Sequence, residues 1–255
     1  MYFNNSCVRK MDKKILLAGI VVVLLAVSVA SYFFFFRGKK KEKVLVIARS
    51  NKPSSLDPAH IVWTNDYAIA ANVFSTLIGY KPGTREMVPD LAVKWEVSLD
   101  GKEYTFYLRK GVRFHRGYGE LTAEDVKFTF ERILDPKTKA RYPDFFKAID
   151  EIIVVDKYTV KFKLKYPDPA FLTYLAPWRN SFIVCKKAVL KMGDEKFAEQ
   201  PVGTGPFMVK EWNKETGDVV LVANPDYYGE KPKVDKVIYK VIEDPYTQYL
   251  ALENF

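Results

Sequence analysis

The segment WEVSLDGKEYTFYLRKGVRFHRG, from Trp95 to Gly117, contains the clearest structural signal in the chain. Two stretches rich in β-branched and aromatic residues, Lys94 to Leu99 and Glu103 to Leu108, flank the pair Asp100-Gly101. Both residues of such a pair tolerate positive φ, which tight turns between antiparallel strands require. The segment therefore predicts a β-hairpin.

A helix is predicted to follow this hairpin and to begin at Thr122. The Thr122 hydroxyl can cap the free amides of the first turn, and Asp125 supplies the reciprocal acid. Apolar residues then recur on one face: Val126, Phe130 and Ile133. Asp135-Pro136 ends the helix, because proline cannot continue it.

The rest of the chain predicts a mixed α/β domain without internal repeats. Val44 to Ala48 is a continuous apolar run typical of a buried strand. Asp66 to Ile78 has helical spacing and ends at Gly79. Ile149 to Val155 and Thr159 to Leu164 form a second hairpin with one solvated face. Further strands are expected at Phe182 to Cys185, Gly205 to Trp212, Val219 to Ala223 and Lys236 to Val241.

The net charge does not indicate nucleic-acid binding. The chain carries 40 Lys/Arg and 31 Asp/Glu, a net charge of +9, but nine of the basic and two of the acidic residues lie in residues 1–43. The remaining 31 basic and 29 acidic side chains do not provide the basic footprint that phosphate binding requires. We therefore expect no nucleic-acid partner.

The basic excess belongs to a leader that is predicted to enter a membrane. Residues 1–14 are basic, residues 37–43 form a charged tether, and no charged residue lies between Ile15 and Phe36. A helix of that length spans roughly 33 Å, enough to cross a bilayer.

Two interpretations of segment 15–36 remain open. A cleaved signal peptide fits Met11-Asp12-Lys13-Lys14, with Met11 as an alternative start, and the small residues Ser28-Val29-Ala30. An uncleaved transmembrane anchor is favoured by the aromatic run at residues 32–36, which cleavage after Ala30 would expose to water.

Few side chains are available for catalysis or metal binding. The histidines are His60, interpreted as a surface loop residue, and His115, and the cysteines are Cys7 and Cys185. The two cysteines flank the apolar leader, so neither a disulfide nor a cysteine metal site is expected. Cys185 is predicted to be a buried strand residue that packs as a small hydrophobe. We expect no cofactor, no metal ion and no enzymatic activity.

Four blocks, in their order along the chain, resemble the extracytoplasmic solute-binding proteins that serve peptide, nickel and oligosaccharide ABC importers. The blocks are Trp95 to Gly117, Leu121 to Val126 (LTAEDV), Pro201 to Phe207 (PVGTGPF) and Asn224 to Gly229 (NPDYYG). The third block lacks the Lys-Ser/Thr of a phosphate-binding loop, so we interpret its glycines as a structural turn.

The resemblance implies a mixed α/β fold like that of type II periplasmic binding proteins. By analogy, residues 44–63 and 182–255 build an incomplete first lobe, residues 64–181 form a subdomain inserted in it, and the second lobe is absent.

The resemblance also implies where a ligand binds. The family places an aromatic or arginine side chain facing the cleft at the position of Trp178 and Arg179. Indole can stack on a ligand, and guanidinium can bind a carboxylate. An equally weighted alternative makes Trp178 a core residue and Arg179 a surface residue. Thr64 and Asn65 are weaker candidates for polar contacts.

The predicted function is the substrate-binding component of an ABC importer for peptides or other oligomeric solutes, and the chain is expected to be a truncated form of it. The protein is expected to be monomeric, outside the cytoplasm, anchored by its N-terminal segment, and to deliver its ligand to permease subunits. One alternative is a membrane-anchored secreted hydrolase, and another is a truncated product without independent function.

Overall fold

A computed structural model describes Ser28, residues 41–177 and residues 180–253. The chain divides into two compact units, Met1–Glu42 and Lys43–Phe255. The predicted basic region, the apolar segment except Ser28, and most of the tether lie outside the described residues. Within the described ranges, no helix combines the length and the apolar content needed to cross a bilayer.

The described residues form twelve strands and six α-helices. The strands are β1 (Val44–Arg49), β2 (Ile78–Tyr80), β3 (Met87–Pro89), β4 (Ala92–Val97), β5 (Glu103–Leu108), β6 (Arg113–Phe114), β7 (Gly119–Glu120), β8 (Ile149–Asp156), β9 (Thr159–Leu164), β10 (Phe207–Trp212), β11 (Val219–Ala223) and β12 (Lys236–Val241). The helices are α1 (Thr64–Val73), α2 (Ala123–Leu134), α3 (Phe171–Tyr174), α4 (Lys186–Met192), α5 (Asp194–Glu199) and α6 (Pro245–Glu253). Short 3-10 turns lie at His115–Gly117, Pro136–Thr138 and Pro143–Phe146.

The first sheet joins the beginning and the end of the second unit. Its strand order is β1-β12-β11-β10, and β1 runs parallel to β12 whereas the other neighbours are antiparallel. The prediction that Val44 to Ala48 form a strand is confirmed, but the prediction that this strand is buried is wrong. Val44, Leu45 and Val46 are exposed because β1 has a strand neighbour on one side only.

The second sheet contains both predicted hairpins, in the order β4-β5-β9-β8. The first hairpin has a wider turn than Asp100-Gly101 alone, since five residues separate β4 from β5 and Gly101 has the positive φ of 67°. One face of the second hairpin is buried as the alternation predicts, and Phe162 packs edge-on against Phe130 of α2 at 5.2 Å between ring centroids. Helix α2 therefore covers the apolar face of this sheet.

Helix α2 begins and ends as predicted. The Asp125 carboxylate accepts hydrogen bonds from the Thr122 amide at 3.0 Å and from its hydroxyl at 3.1 Å. The other oxygen of Asp125 accepts from the Lys186 amide, also at 3.1 Å, so the cap connects α2 to α4. The predicted apolar face, Val126, Phe130 and Ile133, is buried.

Two other predictions are confirmed only in part because long-range contacts override the local pattern. The predicted helix from Asp66 to Ile78 occupies Thr64–Val73, and Gly79 lies in β2. The backbone after Val73 bonds elsewhere: Ser75, Thr76 and Leu77 accept hydrogen bonds from the amides of Ile183, Leu91 and Ala92.

The predicted strand from Phe182 to Cys185 is buried but belongs to no sheet. Its amides bond to Ser75 and to the Thr129 hydroxyl instead of a neighbouring strand. Cys185 is buried as expected, and burial raises the pKa of its thiol to about 11. A thiol in that state is unreactive at neutral pH. The proposed boundaries of the lobe and of the insert, at residues 63/64 and 181/182, stay predictions.

Candidate ligand-binding site

A buried ion pair fixes the end of β1 against the beginning of α1. Arg49 Nη2 lies 2.8 Å from Asp66 Oδ1, and both side chains are almost completely buried. The other oxygen of Asp66 accepts hydrogen bonds from the Ser54 hydroxyl at 2.5 Å and from the Ser54 amide at 3.2 Å. Arg49 Nε donates to the carbonyl of Asn51 at 2.7 Å. These hydrogen bonds hold the loop and the helix in one geometry, although Arg49 Nη1 is buried and has no hydrogen-bond partner within the described residues.

Polar and aromatic side chains are exposed directly beside this pair. Trp63, the residue before α1, is 55% exposed, and Thr64 and Asn65 in the first turn are exposed as well. Asn65 Nδ2 donates to Asn51 Oδ1 at 2.9 Å. In α/β folds, ligands bind outside the carboxyl ends of the strands, which is where this group lies relative to β1. An indole face with neighbouring amide groups can stack on a ligand and hydrogen-bond to it.

The predicted contacts Trp178 and Arg179 lie outside the described residues. The residue that follows them, Asn180, is described. Asn180 is buried and has a φ of 76°, uncommon for a residue other than glycine. Its Oδ1 accepts from the Tyr67 hydroxyl at 3.1 Å, and its Nδ2 donates to the carbonyl of Ala59, also at 3.1 Å. Tyr67 lies on α1, the helix that carries Thr64 and Asn65, so Asn180 places the chain after Arg179 beside that helix.

Asp57 and His60 belong to a structural network. Arg132 binds the fully buried Asp57 carboxylate through two nitrogens, at 3.1 and 2.6 Å. His60 Nδ1 lies 3.4 Å from Asp57, and its Nε2 lies 2.8 Å from the carbonyl of Thr138. His60 lies in a loop as interpreted, but it is half-buried between two acceptors and not freely exposed.

This network shifts the pKa values of both partners. Burial alone raises the pKa of Asp57, but hydrogen bonds from His60 and Arg132 outweigh it and lower that pKa to about 2. The hydrogen bond to Asp57 raises the pKa of His60 above its ordinary value, although burial opposes the shift. Because Asp57 is completely buried and its charge is paired, it holds the loop in place and is not available to a ligand.

His115 and the glycine-rich turn also hold each other in place. His115 Nε2 lies 3.0 Å from the carbonyl of Gly205, and the amide of Gly203 donates to Nδ1 at 3.3 Å. Burial lowers the pKa of His115 to about 4, so the imidazole is neutral at physiological pH. Both glycines pack against the backbone at the end of α1, and a Cβ on Gly203 would lie 2.1 Å from the carbonyl oxygen of Val73. The interpretation as a structural turn is confirmed.

Sequence reasoning missed Trp63, Asn180 and the Arg49–Asp66 pair. Trp63 directly precedes the predicted contacts Thr64 and Asn65, and that proximity was the available signal. No local signal identifies a lone arginine after a strand as the partner of an aspartate 17 residues later. Asn is a residue that adopts positive φ more often than most, but only the fold shows where it does so.

The described sheets and helices form a mixed α/β domain of the kind found in type II periplasmic binding proteins. The chain belongs to the bacterial extracellular solute-binding proteins, family 5, whose middle-region model matches residues 86–254. The predicted family and fold class are thereby confirmed.

Similar proteins are named as binding proteins for peptides and other small solutes. The di/tripeptide-binding protein 4 of Pseudomonas aeruginosa UCBPP-PA14 is 36% identical over 230 residues, which cover 80% of this chain and 42% of that protein. The dipeptide-binding protein of Escherichia coli K12 is 34% identical over 233 residues, 83% of this chain and 43% of that protein. The chain thus spans about two fifths of the length of these curated relatives.

Solved structures of binding proteins are also similar to this chain and are likewise matched over less than half of their length. The periplasmic binding protein DppA of Helicobacter pylori, in complex with the peptide STSA, matches with a TM-score of 0.76 at 36% identity, over 84% of this chain and 46% of that one. MoaA of A. tumefaciens R10, in complex with mannopinic acid, matches with a TM-score of 0.79 at 31% identity, over 84% and 43%.

Proposed function

We propose that the protein is the substrate-binding component of an ABC importer and that its ligands are di- or tripeptides. The observation that carries the proposal is family membership together with relatives named as di/tripeptide-binding proteins at 36% and 34% identity. Ligand capture of this kind needs no covalent chemistry, because enclosure of the ligand between two surfaces supplies the affinity. The alternative of a secreted hydrolase is not favoured, since the relatives are named as binding proteins.

The proposed site combines the exposed group at the start of α1 with the two untested contacts. Trp63, Thr64 and Asn65 would form one side of the site, and Trp178 and Arg179, the two residues before Asn180 in the sequence, are proposed as its other contacts. Arg179 would bind the carboxylate of a peptide through two parallel hydrogen bonds, and the indoles would pack against its side chains. The tie between Asn180 and Tyr67 supports this grouping.

We further propose that the protein works outside the cytoplasm, held at the membrane by segment 15–36, and delivers its ligand to permease subunits as a monomer. The periplasmic DppA structure supports the extracytoplasmic location, and the apolar segment in front of a charged tether supports the anchor.

The division into a first lobe of residues 44–63 and 182–255 with an insert at 64–181 belongs to the same proposal. It is supported by the first sheet, which takes its strands from residues 44–49 and 207–241.

The four tryptophans provide the experiment that tests this function. Indole N–H signals of the isotope-labelled chain are followed by NMR during titration with di- and tripeptides up to roughly 10 mM, a range that detects weak binding. Trp63 and Trp178 are expected to shift, whereas Trp95 and Trp212 serve as internal controls outside the site. Equal shifts of all four signals, or no shift with any peptide, would contradict the proposal.

A further inference from the structure

The imidazole of His60 faces a hydrogen-bond acceptor at each of its two ring nitrogens. Nδ1 lies 3.4 Å from Asp57 Oδ2, and Nε2 lies 2.8 Å from the backbone carbonyl oxygen of Thr138. A neutral imidazole has one N–H group, whereas the imidazolium ion has two. The cation can therefore donate to both acceptors, and the neutral form leaves one nitrogen lone pair against an oxygen.

The Thr138 carbonyl belongs to the 3-10 turn Pro136–Thr138, which ends in an unfavourable backbone conformation. Lys139 directly follows this turn and has a φ of 52°, in the left-handed region that residues with a side chain rarely adopt. Lys137 and Lys139 are exposed, so burial of their side chains does not hold the turn in place. A conformation of this kind persists where contacts with the surrounding structure enforce it.

Two hydrogen bonds join this turn to the loop beside the candidate site. One is the bond between His60 and Thr138, and in the other the amide of Arg141 donates to the carbonyl of Ala59 at 2.8 Å. The Ala59 carbonyl also accepts from Asn180 Nδ2 at 3.1 Å. The position of the turn is thereby coupled to the residue that follows two of the proposed ligand contacts.

The network around Asp57 does not need the proton of His60. Arg132 donates to the Asp57 carboxylate at 3.1 and 2.6 Å, and the amide of Ala59 donates to its Oδ1 at 3.0 Å. Arg132 also pairs with Asp194 of α5 at 2.7 Å. Of the charged groups around the imidazole, Asp57 favours the cation and Arg132 opposes it. Loss of the proton therefore weakens the contact with the turn and leaves the Asp57 carboxylate paired.

We propose that His60 is a pH-sensitive latch: the imidazolium holds the turn Pro136–Thr138 against the loop of Asp57, and loss of its proton releases the turn. A protein outside the cytoplasm meets the pH of its surroundings, and histidine is the side chain that titrates near neutrality. Release of the turn loosens its bond to Ala59, so peptide binding is expected to weaken as the pH rises. This last consequence rests on the proposed function, whereas the latch itself does not.

The latch is tested on the full chain in detergent, without a ligand, by NMR. The titration of His60 is followed between about pH 5 and about pH 9, together with the exchange of the Arg141 amide with water. The protection factor of this amide corrects for the intrinsic pH dependence of exchange, and it is expected to fall about fivefold or more, with its midpoint at the measured pKa of His60. Because burial lowers the pKa of His115 to about 4, that histidine does not titrate in this range.

Two variants and a second amide distinguish the latch from general loosening. His60→Gln has no titrating group, so the protection of the Arg141 amide is expected to become independent of pH. Thr138→Ala is the matched control, because it keeps the backbone carbonyl that His60 faces and should respond like the wild type. The amide of Thr84, which donates to the carbonyl of Lys81 at 3.0 Å in the turn between β2 and β3, is the internal reference.

A protection factor of the Arg141 amide that stays constant while His60 titrates would overturn the proposal. A fall that persists in His60→Gln, or that the Thr84 amide shares, would overturn it as well. No peptide is present in these measurements, so a failed latch leaves the proposed function intact, and a failed peptide titration leaves the latch intact.

Discussion

Gly203 lies where the glycine-rich turn contacts the end of α1, and there is no space for a side chain at this position. A Cβ there would lie 2.1 Å from Val73 O and 2.7 Å from the ring of Phe74. Since backbone cannot move aside as a flexible side chain can, Gly203→Ala is expected to lower the free energy of unfolding by about 3 kcal/mol. Urea denaturation measures this change. Gly79→Ala is the control, because its Cβ would have ordinary contacts at 3.6 Å; similar losses in both variants would contradict the close approach.

The pKa of His115 is expected to lie below the ordinary histidine value of 6.5, and the pKa of His60 above it. Burial lowers the pKa of His115 to about 4, whereas the hydrogen bond to Asp57 raises the pKa of His60 above 6.5. NMR of the imidazole protons measures both directly, because the chain has only these two histidines. Coinciding titrations would contradict the described environments.

The raised pKa of His60 also has a defined effect on stability. A group whose pKa is higher in the folded state stabilises the fold fully below its unfolded pKa, and this contribution is lost as the pH rises through the folded pKa. The wild-type chain should therefore lose stability relative to His60→Gln between about pH 5.5 and about pH 8. Urea midpoints of both proteins at the two pH values measure this loss, and a constant difference would contradict it.

At the level of elements, the cap of α2 also connects α2 to α4. Asp125→Ala removes the acceptor for the Thr122 amide and hydroxyl and leaves the amide of Lys186 without its partner. Loss of a cap costs about 1 kcal/mol and an unsatisfied part-buried amide about as much again, so a total of about 2 kcal/mol is expected in urea denaturation. Glu124→Ala is the control, because its ion pair with Lys186 is exposed and contributes little. Equal costs for the two variants would show that the cap is not the cause.

The sequence predicted the hairpins and α2 because their signals are local. Alternation in β9, the turn at Asp100-Gly101 and the capping residues of α2 act over a few neighbouring positions. Two similar apolar runs had different outcomes: residues 44–48 form an exposed edge strand, and residues 182–185 form a buried segment outside any sheet. Hydrophobicity alone does not specify which partners a run will find.

The candidate site was predictable only in part for the same reason. Thr64 and Asn65 are predicted contacts because they follow the loop after the first strand, and both are exposed in the first turn of α1. The Arg49–Asp66 pair and the tie between Tyr67 and Asn180 join residues 17 and 113 positions apart. Such contacts follow from the assembled fold, and no spacing rule in a single chain specifies them.

For the whole molecule, the proposed binding mode makes affinity depend on enclosure from two sides. The chain spans about two fifths of its curated relatives, and the described site presents Trp63, Thr64 and Asn65 on one exposed surface. A ligand on that surface keeps much of its area in water and gains few opposing contacts, while the entropic cost of binding remains. Isothermal titration of the 255-residue chain with a di- and tripeptide library is therefore expected to show no binding at micromolar or tighter affinity. The dipeptide-binding protein of Escherichia coli, titrated in parallel, is the positive control for the library. Micromolar binding by the 255-residue chain would contradict the dependence on enclosure, because a single surface would then supply the affinity that we assign to two.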